Sequence, residues 1–164
     1  MVVVLLLAAA AAWWVVRRGQ APAGGAVTLE WSGSRAGRVT LPGQLAWCPI
    51  TRMGTLEAIS NDTGLIVTLL EVDSLGTGPH HVVSNEIRDQ SPRPSALAAL
   101  RWVSDSGILQ GFRSVSGTVD LRTGNAQAGG TFEIRMRAAV GVDTLVVRGE
   151  FDGVAITAGA VGCP

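Results

Sequence analysis

From Thr131 to Val140 every second side chain is apolar, with Phe132, Ile134, Met136 and Ala138 on one face and Glu133, Arg135 and Arg137 on the other. After a Val140-Gly-Val-Asp143 turn, Leu145 to Phe151 repeats the scheme through Leu145, Val147, Gly149 and Phe151. A period of two places successive side chains on opposite faces of an extended backbone, so this end of the chain reads as a half-buried β-hairpin. Two Gly-x-Phe steps, Gly130-Thr-Phe132 and Gly149-Glu-Phe151, echo each other across the turn.

The same alternation recurs upstream. Ala26 to Trp31 sets Val27, Leu29 and Trp31 against Thr28 and Glu30. A short strand with Val39 and Leu41 follows, and Pro42-Gly43 is expected to break it, because proline lacks the N–H a ladder needs. Leu45 to Ile50 is a third strand. Thr55 to Ser60 and Leu65 to Val72 form a hairpin across Asn61-Asp-Thr-Gly64, whose residues tolerate tight-turn geometry. Leu65 to Val72 is apolar on both faces and should be central. Asp73 to Pro94, broken by Gly76, Gly78 and three prolines, reads as a long loop with a short strand at His81 to Ser84. Ser95 to Val103 allows two helical turns or a strand. The strand is preferred, because Ile108 to Leu121 alternates as well. Eight to ten short strands separated by Gly, Pro, Asn and Asp turns give an all-β domain, an antiparallel β-sandwich or small barrel, over residues 26–164. Its roughly 139 residues are the usual size of one domain with one core.

Ahead of this domain lies a different kind of sequence. Met1 to Val16 carries no charge and ends at Arg17-Arg18. As a helix it spans roughly 24 Å, near the lower limit for a hydrocarbon core of about 30 Å. Trp13 and Trp14 sit where indoles settle at the membrane boundary, and Arg17 and Arg18 can snorkel to headgroups. Residues 1–18 are therefore expected to be a single transmembrane anchor in a lipid bilayer, with 19–25 as a linker. The competing reading is a secretory signal cleaved near Ala21-Pro22-Ala23. Against it, no basic residue precedes the apolar run and two arginines occupy the cleavage region.

Two cysteines are present, Cys48 and Cys163, and neither belongs to a C-x-x-C pair. A disulfide joining them would tie the C-terminus to an early strand; two buried free thiols are the alternative. A disulfide favours an oxidising compartment, and Arg17-Arg18 favours a cytoplasmic domain. Two arginines are the weaker signal, so the domain is expected in the periplasm, on a bacterial inner membrane.

The chemistry-bearing residue types are sparse. Lysine is absent, which removes the P-loop and kinase motifs, and no Gly-x-Ser-x-Gly elbow occurs. The 13 basic and 13 acidic residues balance without a basic stripe, which argues against nucleic acid. Gly76-Thr-Gly78-Pro-His80 lacks the third glycine of a dinucleotide fingerprint. His80 and His81, adjacent in extended chain, point to opposite faces and read as a surface pair. Asp120 and Asn125 supply too few oxygens for calcium. No catalytic residue, metal site or cofactor is therefore expected. Trp31, Trp47 and Trp102 read as core rather than as a carbohydrate platform. Arg135, Arg137 and Arg148 share a sheet face with Glu133 and Glu150, as cross-strand ion pairs or as a docking face for an acidic partner.

The final stretch, GGTFEIRMRAAVGVDTLVVRGEFDGVAI, resembles the closing strands of exported bacterial β-sandwich modules. The layout, MVVVLLLAAAAAWWVVRR followed by one β domain, is similar to the membrane-extrinsic accessory subunits that brace bacterial photosynthetic reaction centres inside their light-harvesting rings. That resemblance implies a non-enzymatic structural subunit, membrane-anchored, that stabilises a larger complex of reaction-centre or antenna subunits. The alternative is a periplasmic module that binds a small ligand or glycan in its barrel mouth or its 73–94 loop.

Overall fold

The computed structural model describes residues 25–104, 106–159 and 163. The expected anchor, with Trp13, Trp14, Arg17 and Arg18, lies outside them. Among the described residues no helix is long and apolar enough to cross a membrane.

Nine strands form one closed barrel. In chain order they are β1 (Ala26–Gly33), β2 (Gly37–Cys48), β3 (Met53–Ile59), β4 (Thr63–Leu70), β5 (Gly78–Val82), β6 (Ser95–Val103), β7 (Leu109–Gly124), β8 (Gln127–Ala138) and β9 (Thr144–Ala158), with a 3-10 turn at Asn85–Gln90. Around the wall they run β1-β2-β3-β4-β6-β5-β7-β8-β9, and β1 pairs back to β9. Closure leaves no sheet edge, which decides between sandwich and barrel in favour of the barrel.

The period-two residues fill the interior. Val27, Leu29, Leu45, Leu65, Val67, Leu100, Leu121, Ile134 and Val147 are all buried in a single core. Near the β6–β7 turn an aromatic stack crosses the interior: Trp31 and Trp102 have ring centroids 5.3 Å apart, and Trp102 and Phe112 5.1 Å. Stacked aromatics bury large areas, and here they close one mouth of the barrel. Trp47 differs from the expected core role, because it is only half-buried. It sits where β2 meets β9, and its carbonyl accepts the Gly159 N–H at 2.8 Å.

The two Gly-x-Phe steps prove to be one device. Gly130 faces Phe151 and Phe132 faces Gly149 across β8 and β9, so each phenyl ring lies over the glycine of the other strand. A Cβ on Gly149 would collide with both the Phe132 ring and the Thr28 carbonyl oxygen. Gly149→Ala is expected to cost about 3 kcal/mol, the upper part of the overpacking range, and to lower the midpoint of thermal unfolding by roughly 6–12 °C. A shift below about 2 °C would show that the rings can move aside.

Two sequence expectations are corrected. Pro42-Gly43 does not break the chain; β2 runs through it. Pro42 is the last rung opposite Ala26, and from Gly43 onward β2 pairs with β3 instead of β1. The missing proline donor therefore falls where the strand changes partners, and the Gly43 N–H is satisfied by Gly25 O at 2.8 Å. Likewise, 73–94 is less irregular than expected. β5 inserts between β6 and β7, pairing antiparallel with Gly117–Leu121 of β7 and parallel with Ser95 and Ala96 of β6.

That insertion splits the ladder. β6 and β7 pair directly only from Ala99 to Val103, and a bulge between Ser114 and Ser116 marks the fork. The buried Ser114 hydroxyl closes it, accepting from Ala98 N at 3.0 Å and donating to Val83 O at 2.7 Å. Ser114→Ala would strand a buried donor and acceptor together, so a loss of about 2–3 kcal/mol is expected in denaturant unfolding. An unchanged unfolding midpoint would mean that another group takes over both bonds.

Candidate functional site

His80 is the first surprise. The expectation that it belongs to a surface pair is overturned: His80 is 1% exposed, whereas His81 faces outward. The alternation of β5 explains both, since His80 and Val82 point inward and Pro79 and His81 outward. Its Nε2 lies 2.7 Å from Oε1 of Glu71, which is 4% exposed. Its Nδ1 lies 3.1 Å from Gly78 O. A carbonyl can only accept, so the Nδ1 contact is a donation to Gly78 O, and Nε2 and the Glu71 carboxyl meet across one short hydrogen bond. The Gly76 N–H also donates to Glu71 Oε1 at 3.1 Å, and Arg93 Nη1 donates to the Glu71 carbonyl at 2.9 Å. The pair thus ties the end of β4, the 71–78 loop and β5 into one polar knot. Ser95 pairs in register with the outward His81, which puts its hydroxyl on the opposite sheet face from His80. Among the described residues the hydrogen-bond partners of His80 are Glu71 and the Gly78 carbonyl.

The sequence signal for this knot was a carboxylate ending an otherwise apolar strand, Leu65-Ile-Val-Thr-Leu-Leu-Glu71. Nothing along the chain connects it to a histidine nine residues later across a loop. Asp120 is outward on β7, and Asn125 adopts φ 51° in the β7–β8 turn. Among the described residues no three His, Cys, Asp or Glu side chains cluster as a metal site would require.

The cysteines are joined: Cys48 and Cys163 form a disulfide with Cα atoms 5.8 Å apart. The outward arginines of β8 and β9 divide by partner. Arg148 makes a two-pronged bond to Glu133, at 2.9 and 3.3 Å, and this contact holds the Glu133 carboxyl below its usual pKa. Arg137 is bonded to Glu86 of the 3-10 turn. Arg135 has no ion pair within 4 Å among the described residues. Much of the expected docking charge is thus already matched within the chain.

Two other surfaces stand out. One is a pair of hairpin tips at the same end of the barrel. Val140 and Val142 are 92% and 94% exposed in the β8–β9 turn, and Ile108 and Leu109 are exposed beside the β6–β7 turn. β7 and β8 are neighbours, with Ala139 N bonded to Gly111 O at 2.8 Å, so the tips lie side by side. The other is a groove on the outer wall across β4, β6 and β7, of about 420 Å³, continuing into a second hollow of about 200 Å³.

No family model, curated protein or solved structure matches this chain.

Proposed function

We propose that this protein is a non-enzymatic docking module, held to a bacterial inner membrane by its apolar N-terminus, whose barrel braces a larger membrane protein complex from the periplasmic side. The observation that carries the reading is the pair of apolar tips. Solvated loops rarely expose four large aliphatic side chains together, and such patches mark contact surfaces. Position supports it. Gly25, where the described chain begins, is bonded to Gly153, nine residues along β9 from Thr144, or roughly 30 Å at about 3.3 Å per residue. The tips therefore lie at the end of the barrel away from the linker, where a tethered domain would meet a partner at high effective concentration. The Cys48–Cys163 bond supports an oxidising compartment. The filled interior and stacked mouth support a brace over a ligand held inside the barrel.

The narrower reading, a brace for a photosynthetic reaction centre within its light-harvesting rings, rests on the layout of anchor and β domain. Mild-detergent extraction of the full-length chain tests both. The intact chain is expected to migrate with a large assembly, pigmented if the narrower reading holds. A Val140→Ser/Val142→Ser variant is expected to migrate alone with unchanged thermal stability, because both side chains face solvent. Full-length protein migrating alone from its native membrane would overturn the proposal.

A further inference from the structure

We propose that the outer groove across β4, β6 and β7 binds a single-chain anionic amphiphile, a long-chain carboxylate or phosphate monoester, with its chain along the floor and its head between Arg101 and Arg113.

The floor is mainly aliphatic. Ile66, Leu97 and Ala99 supply its aliphatic part from the outward faces of β4 and β6, with Thr68 opposite Leu97 and Ile66 opposite Ala99 across the ladder. Ala99 is small beside Ile66 and Arg113, which sinks the wall at its centre. Glycines flank the charge at one end: Arg101 lies in register between Gly64 of β4 and Gly111 of β7, and its side chain folds over Gly64, with Nε 3.5 Å from where a Cβ there would stand. The volume of about 420 Å³ lies within the range of small-molecule sites, and the closed ladder offers no strand edge to a peptide.

The charge is one-sided. In a chain with 13 basic and 13 acidic residues, the two hollows are lined by three arginines, Arg88, Arg101 and Arg113, and by no carboxylate. Arg88 is matched by Asp89 at 2.9 Å. Arg101 and Arg113 have no carboxylate within 4 Å among the described residues. Arg113 also stands directly opposite Arg137 on β8, a like-charge pairing that destabilises a sheet. Glu86 offsets Arg137 and leaves Arg113 without a carboxylate partner among the described residues. Guanidinium forks suit carboxylate and phosphate, and the adjoining grease selects a head that carries a chain.

The test is photolabelling of the full-length chain in a nonionic detergent, with diazirine-bearing hexadecanoate and, separately, the matching uncharged alcohol. The acid is expected to label β4 and β6 around Ile66 and Leu97 roughly five-fold more than the alcohol, since two exposed guanidiniums together contribute about 1 kcal/mol. An Arg101→Gln/Arg113→Gln variant should lose that difference while unfolding at the same or a slightly higher temperature, since it relieves the Arg113–Arg137 repulsion. Ala99→Phe, which fills the groove at an exposed position, should abolish labelling there by both probes. Equal labelling by acid and alcohol, full retention in either variant, or stronger displacement by hexaglutamate than by unlabelled hexadecanoate would each overturn the proposal. The second hollow reaches Gly111 and Ala139 at the base of the hairpin tips, so the Val140→Ser/Val142→Ser variant is labelled in parallel: it should keep the preference for the acid while losing the partner, which separates the groove from docking.

Discussion

Reducing the Cys48–Cys163 bond is expected to lower the unfolding temperature by roughly 10–20 °C. The bond joins residues 115 apart in sequence. In the chain-entropy model, closing a loop of that length removes about 5 kcal/mol of freedom from the unfolded state, a large share of the roughly 5–15 kcal/mol by which domains are stable. The native state offers little to replace it. Beyond Asp152 the end of β9 pairs with β8 as far as Ala155, with the Ile156 N–H on Ala126 O at 2.9 Å, and past that it is held only to β2, by three parallel rungs from Leu45–Ile156 to Trp47–Ala158 and by the Gly159 N–H. The first loss should therefore be local, with the amides from Ile156 to Gly159 exchanging faster before the barrel opens. Thermal unfolding of the full-length chain with and without reductant, repeated on Cys48→Ser, measures the global effect, and hydrogen exchange the local one. A shift under about 3 °C would mean that the β1–β9 and β8–β9 ladders carry the closure alone. A large shift ties the fold to an oxidising compartment, in line with the proposed periplasmic position.

The parts of this barrel that could be read directly are those governed by neighbours in sequence. Alternation placed β1, β8 and β9, because a strand with one buried face repeats every two residues whatever it pairs with. It also set His80 and His81 on opposite faces, yet it left both at the surface, because nothing local marks which face of β5 is covered. What it could not supply was the identity of the element across the ladder. Pro42-Gly43 looked like a terminator because the exchange of β1 for β3 as partner is a property of closure, and no local pattern records it. The Gly-x-Phe echo was visible, yet its meaning depends on the register that sets Gly130 against Phe151 and Phe132 against Gly149. The surface arginines show the same limit. Arg135, Arg137 and Arg148 stood out because they share an obvious hairpin face. Arg101 and Arg113 belong to strands whose common groove exists only once β6 and β7 pair and β5 is wedged beside them. The buried knot was hidden for a related reason, since Glu71 and His80 meet only when the 71–78 loop folds back.

Replacing His80 with leucine is expected to destabilise the protein by about 3–5 kcal/mol, because it leaves the Glu71 carboxyl buried without its imidazole hydrogen-bond partner. Gly76 N–H would remain as a donor to Oε1, but one amide does not replace an imidazole at 2.7 Å. Glu71→Leu should cost a similar amount, stranding the imidazole against a single carbonyl at Gly78. The double variant Glu71→Leu/His80→Leu removes both polar partners, and its cost should fall well below the sum of the two. The knot also has a positional role. It fixes the loop that delivers β5 into the fork between β6 and β7, and the 3-10 turn after β5 brings Asn85 and Arg88 to the groove. The single variants should therefore raise amide exchange from Gly78 to Val82 and weaken hexadecanoate labelling of the groove together, while the hairpin tips at the other end stay ordered. Denaturant unfolding of the three variants gives the coupling free energy. Additive costs within about 0.5 kcal/mol would show that the two side chains sit together without depending on each other.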